Sequence, residues 1–348
     1  MGKNKSNFRP DMFPDFDKIS KIQEIEISNP RLLKEFISVN IQGISCHEAL
    51  PFSVYFPFTQ PDESINFVKI VSAGNPFPFR WKTIFKGNNI EHVYVHVNEF
   101  DLYARYINAK LSKALANPHL SRDKKHEILY RNASHVMQRI LSDPRSGRNI
   151  QMGIDLMETF SQYVAKNEIT ASMLVKLFSK HYELFSHSLQ VALLTAVFCR
   201  FLKKELSFIF TASLGALLHD VGKIEIPSRI LLKRGELSDE ELSIIKRHPE
   251  LGAKILESHE VLEKQSIEVV LQHHEAADGS GYPFGLTIDE ISPMAQIIHI
   301  VDCYDAMTTN KVYKMAMTPF DALKTMIVEM KNSFNKRLLK NFIVFLGY

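Results

Sequence analysis

Hydrophobic residues follow two different spacings along the chain, and the change falls near residue 98. Before it, short apolar runs such as FISVNI, PFSVYFPF, INFVKIV and HVYVHV are separated by Pro, Gly, Asn and Asp, and VYVHV alternates as a half-buried strand does. After it, apolar residues recur every three or four positions, which is the spacing of a helix. The predicted fold class is therefore a small α+β N-terminal domain followed by an all-α helical bundle.

Capping residues and prolines divide the second part into helices. One predicted helix covers 98–117 and stops before Pro118, and the next begins at Ser121 as N-cap and runs to the Asp143-Pro144 break. Further helices are predicted over 150–164, 170–201, 206–219, 238–258, 260–273, 292–307 and 318–345.

These segments predict four parts of the chain. Residues 1–29 form a polar tail, 30–118 the small α+β domain, 119–146 a connecting helix and 147–348 the helical domain. The sequence of the small domain carries no recognisable ligand or cofactor motif, so a structural or dimerising role and a sensory role both remain open for it.

Composition and charge exclude several classes of protein. The 348 residues are 45% hydrophobic and 23% charged, as in globular proteins, and the net charge of +3 comes from interspersed charges, which argues against bulk nucleic-acid binding. The three cysteines lack CxxC spacing, which favours a reducing cytoplasm. The longest apolar run, 189–202, is too short to span a bilayer, so membrane insertion is not expected.

Ligand-type side chains concentrate in one region of the helical domain. Five of the 14 histidines and three aspartates lie there: His187, His219, His248, His273, His274, Asp220, Asp302 and Asp305. This set is too large and too rich in oxygen for one tetrahedral zinc ion, so two metal ions account for it better. Mixed imidazole and carboxylate ligation suits iron, manganese and zinc alike. Irregular segments 222–235 and 275–291 are expected to wall the site.

Spacing adds expectations for single residues in this region. His219 and Asp220 end a predicted helix and diverge from it, so the pair is suited to bridge two ions, while Gly222 can turn the chain sharply away. Glu183 lies one turn before His187 on the same helical face, either as a further ligand or as a solvated carboxylate.

The motifs of this region closely resemble those of the HD-GYP family, the cyclic di-GMP phosphodiesterase branch of the HD metal-dependent phosphohydrolases. The similar motifs are, in family order, HSLQVA, HDVGKIEIP, ILLKRGELSDEE, HPELGAKIL, HHE, DGSGYP and VDCYDAM, and the resemblance covers residues 147–326. The small domain is also similar to one that often precedes HD-GYP modules in bacteria.

The resemblance implies an HD-type helical bundle that holds two or three divalent metal ions, with iron or manganese expected. The implied ligands are His187, His219, Asp220, His248, His273, His274 and Asp302, with Glu183 as the ligand of a third ion. Lys223 matches the family lysine that contacts a substrate phosphate, and Lys223 and Asp220 are the expected catalytic residues. Asp305 is expected to orient a ligand histidine rather than to bind metal itself.

Residues outside the ligand set are expected to bind substrate. Asp278, Gly281 and Tyr282 belong to the GYP loop, which in the family is associated with substrate access and partner contacts, although Tyr282 also fits a simple packing role. Lys311 and Lys314 are expected to neutralise substrate phosphate.

The chain departs from the family pattern at three places. Ala276 and Gln296 stand where the family usually has Arg, and Lys311-Val312-Tyr313 replaces the RPY element. A lysine lacks the bidentate fork of an arginine, so these departures predict an altered affinity or nucleotide preference.

The expected function is hydrolysis of a cyclic dinucleotide, with cyclic di-GMP first, to linear pGpG or GMP by a hydroxide that bridges two cations. Two alternatives remain: a non-hydrolysing receptor with a degenerate HD-GYP pocket, and a hydrolase that prefers another cyclic dinucleotide such as cyclic GMP-AMP. The expected partners are the cyclic dinucleotide, a second copy of the chain in a homodimer, and a protein bound at the GYP loop.

Overall fold

The structure is a computed structural model that describes residues 35–59, 65–167, 169–171, 173–174, 186–233, 235–309 and 316–348. The chain divides into two compact units, with the boundary between Lys110 and Leu111. The predicted fold class is confirmed, because a small unit with an antiparallel sheet precedes an all-helical one. In the described ranges, no helix is both long enough and apolar enough to cross a membrane. The cytoplasmic location stays a prediction.

An antiparallel sheet forms the centre of the first unit. Within the described part of this unit its strands are β1 (Phe36–Asn40), β2 (Val54–Thr59), β3 (Ile65–Val71) and β4 (His92–His96), in the order β1-β4-β2-β3. Each strand coincides with one of the predicted apolar runs. The helix α1 (Phe79–Gly87), which the sequence pattern does not predict, packs Phe85 on Phe56 with 4.9 Å between ring centroids. The predicted helix α2 (Phe100–Ala116) contains the boundary between the units.

Helices make up the second unit, and two of them are central. The helices are α3 (Arg122–Ser142), α4 (Gly147–Lys166), α5 (Ser186–Phe201), α6 (Leu206–Leu218), α7 (Ser228–Leu231), α8 (Asp239–Ile245), α9 (His248–Leu256), α10 (Lys264–Gln272), α11 (Pro293–Thr308), α12 (Pro319–Val328) and α13 (Lys336–Leu346). The central helices α5 and α6 pack on each other, α6 also packs on α4 and α10, and α5 packs on α11. Residues 211–218 of α6 are all buried, so this stretch of the helix is enclosed on every side.

The helix expected to connect the domains packs inside the second unit. Ser121 caps it as predicted, by accepting a hydrogen bond from the N–H of Lys124. The helix α3 then packs on α4 and α5. The division into 30–118, 119–146 and 147–348 stays a prediction.

Two predicted helices, 238–258 and 318–345, are each two helices in the structure. Pro249 lies at the start of α9 and has no backbone N–H to donate to the preceding turn, so α8 and α9 are separate. Asn335 accepts hydrogen bonds from the first N–H groups of α13 and thereby starts a new helix after α12. Apolar periodicity continues across both breaks, which is why the pattern alone predicts one helix in each case.

After α6 the chain continues as a 3-10 turn, Val221–Glu225, which packs on α9. A Cβ atom on Gly222 would lie 2.0 Å from the backbone oxygen of His248 and 2.4 Å from the backbone nitrogen of Gly252. The expectation that Gly222 turns the chain sharply away stays a prediction; in the structure this glycine has no positive φ and serves a close backbone approach. The contact fixes the segment after Asp220 against the start of α9.

A buried carboxylate holds the loop between α10 and α11 in place. Glu275 is 1% exposed, and its two oxygens accept hydrogen bonds from the backbone N–H groups of Phe284 at 2.7 Å and Leu286 at 2.8 Å. A Cβ atom on Gly281 would lie 2.2 Å from the backbone nitrogen of Ala276, so the GYP loop lies directly on the chain that follows the paired histidines. The loop is therefore held at a defined position.

We predict that Gly222→Ala lowers the free energy of unfolding of the second unit by about 3 kcal/mol, because the added methyl meets backbone atoms that cannot move aside. Denaturant unfolding followed by far-UV circular dichroism measures the change. Gly147→Ala is the control, since its Cβ would meet only His259 Nδ1 at an ordinary 3.8 Å. Equal stability of the two variants would contradict the close approach.

A second prediction concerns the buried carboxylate. Glu275→Gln should cost about 1–3 kcal/mol of stability, because the new amide N–H faces a backbone N–H that then loses its acceptor. Limited proteolysis should also cut faster near Phe284 in this variant. Glu290→Gln is the matched control in the same loop, because an amide oxygen can still accept from the N–H of Thr287, now 2.9 Å from the carboxylate. Unchanged proteolysis of Glu275→Gln would show that the carboxylate does not hold the loop.

Candidate metal centre

Helix ends bring the predicted ligands together. His219 follows the last residue of α6, His248 begins α9 just after α8, and His273 follows α10. These three side chains are at most 1% exposed. His187 on α5 and Asp302 on α11 add ligands from the neighbouring helices.

Three histidines share one hydrogen-bond pattern. In each, the ring Nδ1 lies 2.7 or 2.8 Å from the carbonyl oxygen of the residue three positions earlier. The pairs are His219 with Ala216, His248 with Ile245, and His273 with Val270. A carbonyl oxygen only accepts, so Nδ1 carries the hydrogen and Nε2 keeps its lone pair. Each ring is therefore fixed in the tautomer that ligates through Nε2.

Those lone pairs face one another without hydrogens between them. The Nε2 atoms of His248 and His273 are 3.1 Å apart, and with both Nδ1 atoms protonated neither Nε2 has a hydrogen to donate. Within the described part of the chain, Nε2 of His219 and Oδ1 of Asp220 are buried without a hydrogen-bond partner. Buried polar atoms normally have partners, and a cation between them would supply one. The donor set therefore fits a metal site.

Asp220 lies between two groups of histidines. Its Oδ1 is 3.4 Å from Nε2 of His248, whereas its Oδ2 is 3.5 Å from Nε2 of His219 and 3.9 Å from Nε2 of His187. The two oxygens of one carboxylate thus point to different imidazoles. This arrangement is the one that a bridging ligand requires.

His187 is held by a carboxylate at each ring nitrogen. Its Nε2 is 2.9 Å from Oδ1 of Asp302, and its Nδ1 is 2.7 Å from Oδ2 of Asp305. Burial by itself would lower the pKa of His187, but the hydrogen bonds to these two carboxylates raise that pKa to about 10. A metal ion at Nε2 would have to displace a proton, while Asp305 would keep the ring oriented through Nδ1.

Three further histidines, His248, His273 and His274, are neutral near pH 7, and the carboxylates of Asp220 and Asp302 are ionised. Burial lowers the pKa of His248 to about 4 and that of His274 to about 3, and it holds the pKa of His273 well below its usual range. Burial opposes ionisation of Asp220, but the Lys223 ammonium keeps the pKa of its carboxyl well below the usual value. Neutral imidazoles and ionised carboxylates are the forms that bind metal.

Candidate ligand atoms form three overlapping groups among the described residues, and within each group they lie within 4.8 Å of one another. The groups are His248 with His273 and His274; His187 with His219 and Asp302; and His219 with Asp220 and His273. The third group shares one member with each of the others. All seven histidine and aspartate ligands implied by the family resemblance are in these groups.

Only some of the other residues predicted for the site lie beside the ligand cluster in the structure. Lys223 places its Nζ 2.6 Å from Oδ2 of Asp220, and the Tyr282 ring stacks on the His274 ring with 4.7 Å between centroids. Asp278 is exposed and accepts hydrogen bonds from the N–H and hydroxyl of Ser280 in the same loop. Glu183, Lys311 and Lys314 lie outside the described residues.

Three residues support the site through hydrogen bonds that the sequence did not predict. Glu275 follows the paired histidines directly, and the signal for it is an acidic residue at a buried helix end before a Gly-rich loop. His299 lies 3.0 Å through Nδ1 from the carbonyl oxygen of His273. The amide of Gln296 donates to the carbonyls of Ile288 and Ile291, so this departure from the family arginine supports the loop.

Comparisons with known proteins agree with this geometry. A family model described as HD domain matches residues 172–338. A cyclic di-GMP phosphodiesterase of Pseudomonas aeruginosa is 32% identical over 222 residues, which are 63% of this chain and 53% of the relative. A 3'3'-cGAMP-specific phosphodiesterase of Vibrio cholerae is 36% identical over 124 residues, which are 35% of this chain and 24% of the relative.

Structural similarity extends further along the chain. An HDG"Y"P protein from Bdellovibrio bacteriovorus matches with a TM-score of 0.61 and 17% identity, over 90% of this chain and 100% of that one, which shows a common fold. The chain spans about half the length of the Pseudomonas relative and about a quarter of the Vibrio one. The matched family segment contains every described candidate ligand. Residues 172–338 of this chain therefore match the HD domain family, and a relative named as a cyclic di-GMP phosphodiesterase matches the chain as well.

Proposed function

We propose that this chain hydrolyses a phosphodiester bond of a cyclic dinucleotide, with cyclic di-GMP as the first candidate. The observation that carries the proposal is the buried cluster of imidazoles and carboxylates, in which the Nε2 atoms of His219, His248 and His273 face one another around Asp220. The activity named for the Pseudomonas relative supports the substrate class. The products would be linear pGpG or GMP.

The proposal includes two divalent metal ions, iron or manganese. His248, His273 and His274 would hold one, and His187, His219 and Asp302 the other, with an oxygen of Asp220 directed to each. Divalent cations in such a site activate water and neutralise phosphate charge. Oxygen and imidazole ligands suit iron and manganese as well as zinc, so metal analysis is part of every test below.

The protein's own side chains have separate roles in this proposal. Lys223 would place positive charge beside the substrate phosphate, because its side chain is 37% exposed while its ammonium contacts Asp220 at 2.6 Å. Asp305 would keep His187 oriented through the 2.7 Å contact to Nδ1. Lys311 and Lys314 would contribute further charge against phosphate.

A second candidate function is hydrolysis of cyclic GMP-AMP. The Vibrio relative, named for that substrate, is the observation in its favour. The chemistry at the metal centre would be the same, and only recognition of the bases would differ. Homodimer formation and a protein partner at the GYP loop, which exposes 57% of Phe284, stay predictions.

The function is tested with protein loaded with manganese or iron and incubated with cyclic di-GMP, cyclic GMP-AMP and cyclic di-AMP. We expect chromatography to show linear dinucleotide or GMP from at least one of the first two. Asp220→Ala should lose most of its metal and about 100-fold or more of its turnover, because one carboxylate is shared by two ions.

Asp289→Ala, in an exposed loop position, is the control for that variant and should keep both metal and turnover. Tight binding of cyclic di-GMP without products would reject the hydrolase in favour of a receptor. Two retained ions and near-native turnover in Asp220→Ala would remove the bridging role.

The number of ions is tested through Glu183. If this carboxylate binds a third ion, Glu183→Ala should lower the metal content by about one ion per chain and reduce turnover without abolishing it. Native mass spectrometry and elemental analysis measure the stoichiometry. An unchanged metal content in Glu183→Ala would leave a centre of two ions.

A further inference from the structure

A cavity of about 430 Å³ lies beside the metal centre, between the α8–α9 segment and the GYP loop. Its lining includes Lys246, Arg247 and Tyr282, together with the carboxylates of Asp239 and Glu250. Ligand cavities usually have volumes of about 300–1,000 Å³, so the space suits a group of nucleotide size. None of these five residues belongs to the ligand cluster.

One aromatic ring separates this cavity from the metal centre. The Tyr282 ring stacks on His274 at 4.7 Å between centroids, and Nζ of Lys246 lies 5.4 Å from the centroid of the same Tyr282 ring. Lys246 and Arg247 also directly precede His248 in the chain. A molecule bound to metal at this centre therefore has the cavity next to it.

Hydrogen bonds hold the GYP loop, which forms one wall of the cavity. Glu275 holds the backbone on the far side of Pro283 through the N–H groups of Phe284 and Leu286, and the N–H of Tyr282 donates to the carbonyl of His274 at 3.1 Å. A preorganised wall lowers the entropy cost of ligand binding. The backbone of Tyr282 is thus held in place before any ligand arrives.

The charges of the lining fit a nucleotide rather than a simple anion. Among the described residues, neither Lys246 nor Arg247 forms an ion pair with a carboxylate, so both cations are available to an anionic ligand. The two carboxylates in the lining would repel a bare anion but accept hydrogen bonds from the N–H groups of a base. A ligand that carries both a phosphate and N–H donors matches this combination.

We propose that the cavity binds the second nucleotide of the cyclic dinucleotide, with Lys246 and Arg247 contacting the phosphate that is not at the metal centre. The inference rests on the proposed function and adds a second phosphate subsite to it. It explains how a substrate with two phosphates can be distinguished from a phosphodiester with one. The metal centre would hold the reacting phosphate, and the cavity would hold the other.

The test compares two substrates in the metal-loaded full-length protein: cyclic di-GMP, with two phosphates, and bis(4-nitrophenyl) phosphate, with one. Lys246→Gln and Arg247→Gln should each raise KM for cyclic di-GMP about 10-fold or more, as expected for a lost charged contact. Both variants should leave the kinetics for bis(4-nitrophenyl) phosphate and the metal content unchanged. Lys254→Gln, at an exposed position on α9 outside the lining, is the matched control.

An unchanged KM for cyclic di-GMP in both variants would overturn the inference. Equal losses on the two substrates would also overturn it, because the cations would then support the fold or the metals rather than the second phosphate. If the wild-type protein hydrolyses no cyclic dinucleotide, the proposed function fails separately. Equilibrium binding of cyclic di-GMP to the wild-type protein and to Lys246→Gln then still tests whether the cavity binds the nucleotide. About 10-fold weaker binding is expected for the variant.

Discussion

The hydrogen bond from a histidine Nδ1 to a carbonyl in the last turn of a helix is the interaction on which the rest of this site depends. His219, His248 and His273 each follow a helix, and each bonds to the carbonyl three residues earlier. The last carbonyls of a helix have no partner within it, so these rings satisfy them. The same hydrogen bond therefore satisfies a carbonyl at a helix end and fixes the tautomer of a metal ligand.

Two close backbone contacts then set the helix ends against one another. Gly222 allows the 3-10 turn that follows α6 to touch the start of α9. On the other side, Glu275 ties the end of α10 to the GYP loop. Neither contact uses the side chain of a predicted ligand. Both supply the rigidity that a site with several charged and polar groups needs if its geometry is to be kept without metal.

Burying this cluster costs the protein folding free energy, which indicates that the cluster serves function rather than stability. Neutral imidazoles with opposed lone pairs and an unpartnered carboxylate oxygen destabilise an apolar bundle, and a metal ion would relieve that cost. Asp220 is the residue where these effects meet, because it faces histidines on both sides and Lys223 as well. Tyr282 contacts the metal centre through His274 and also lines the adjoining cavity.

The sequence by itself determined the elements and the chemistry of this protein. Strand alternation, helical periodicity and caps such as Ser121 are local properties, and they predict the sheet and most of the helices. The density of histidine and aspartate predicts a metal site, because residue type is enough to identify ligands. The sequence could not predict the two helix breaks or the helix α1, since periodicity continues through a break and α1 is held by packing on the sheet. Only the tertiary structure decided which nitrogen of each ring is free, what Gly222 and Glu275 contact, and that a cavity adjoins Tyr282. These features depend on distances between segments far apart in the chain, and local patterns carry no information about such distances.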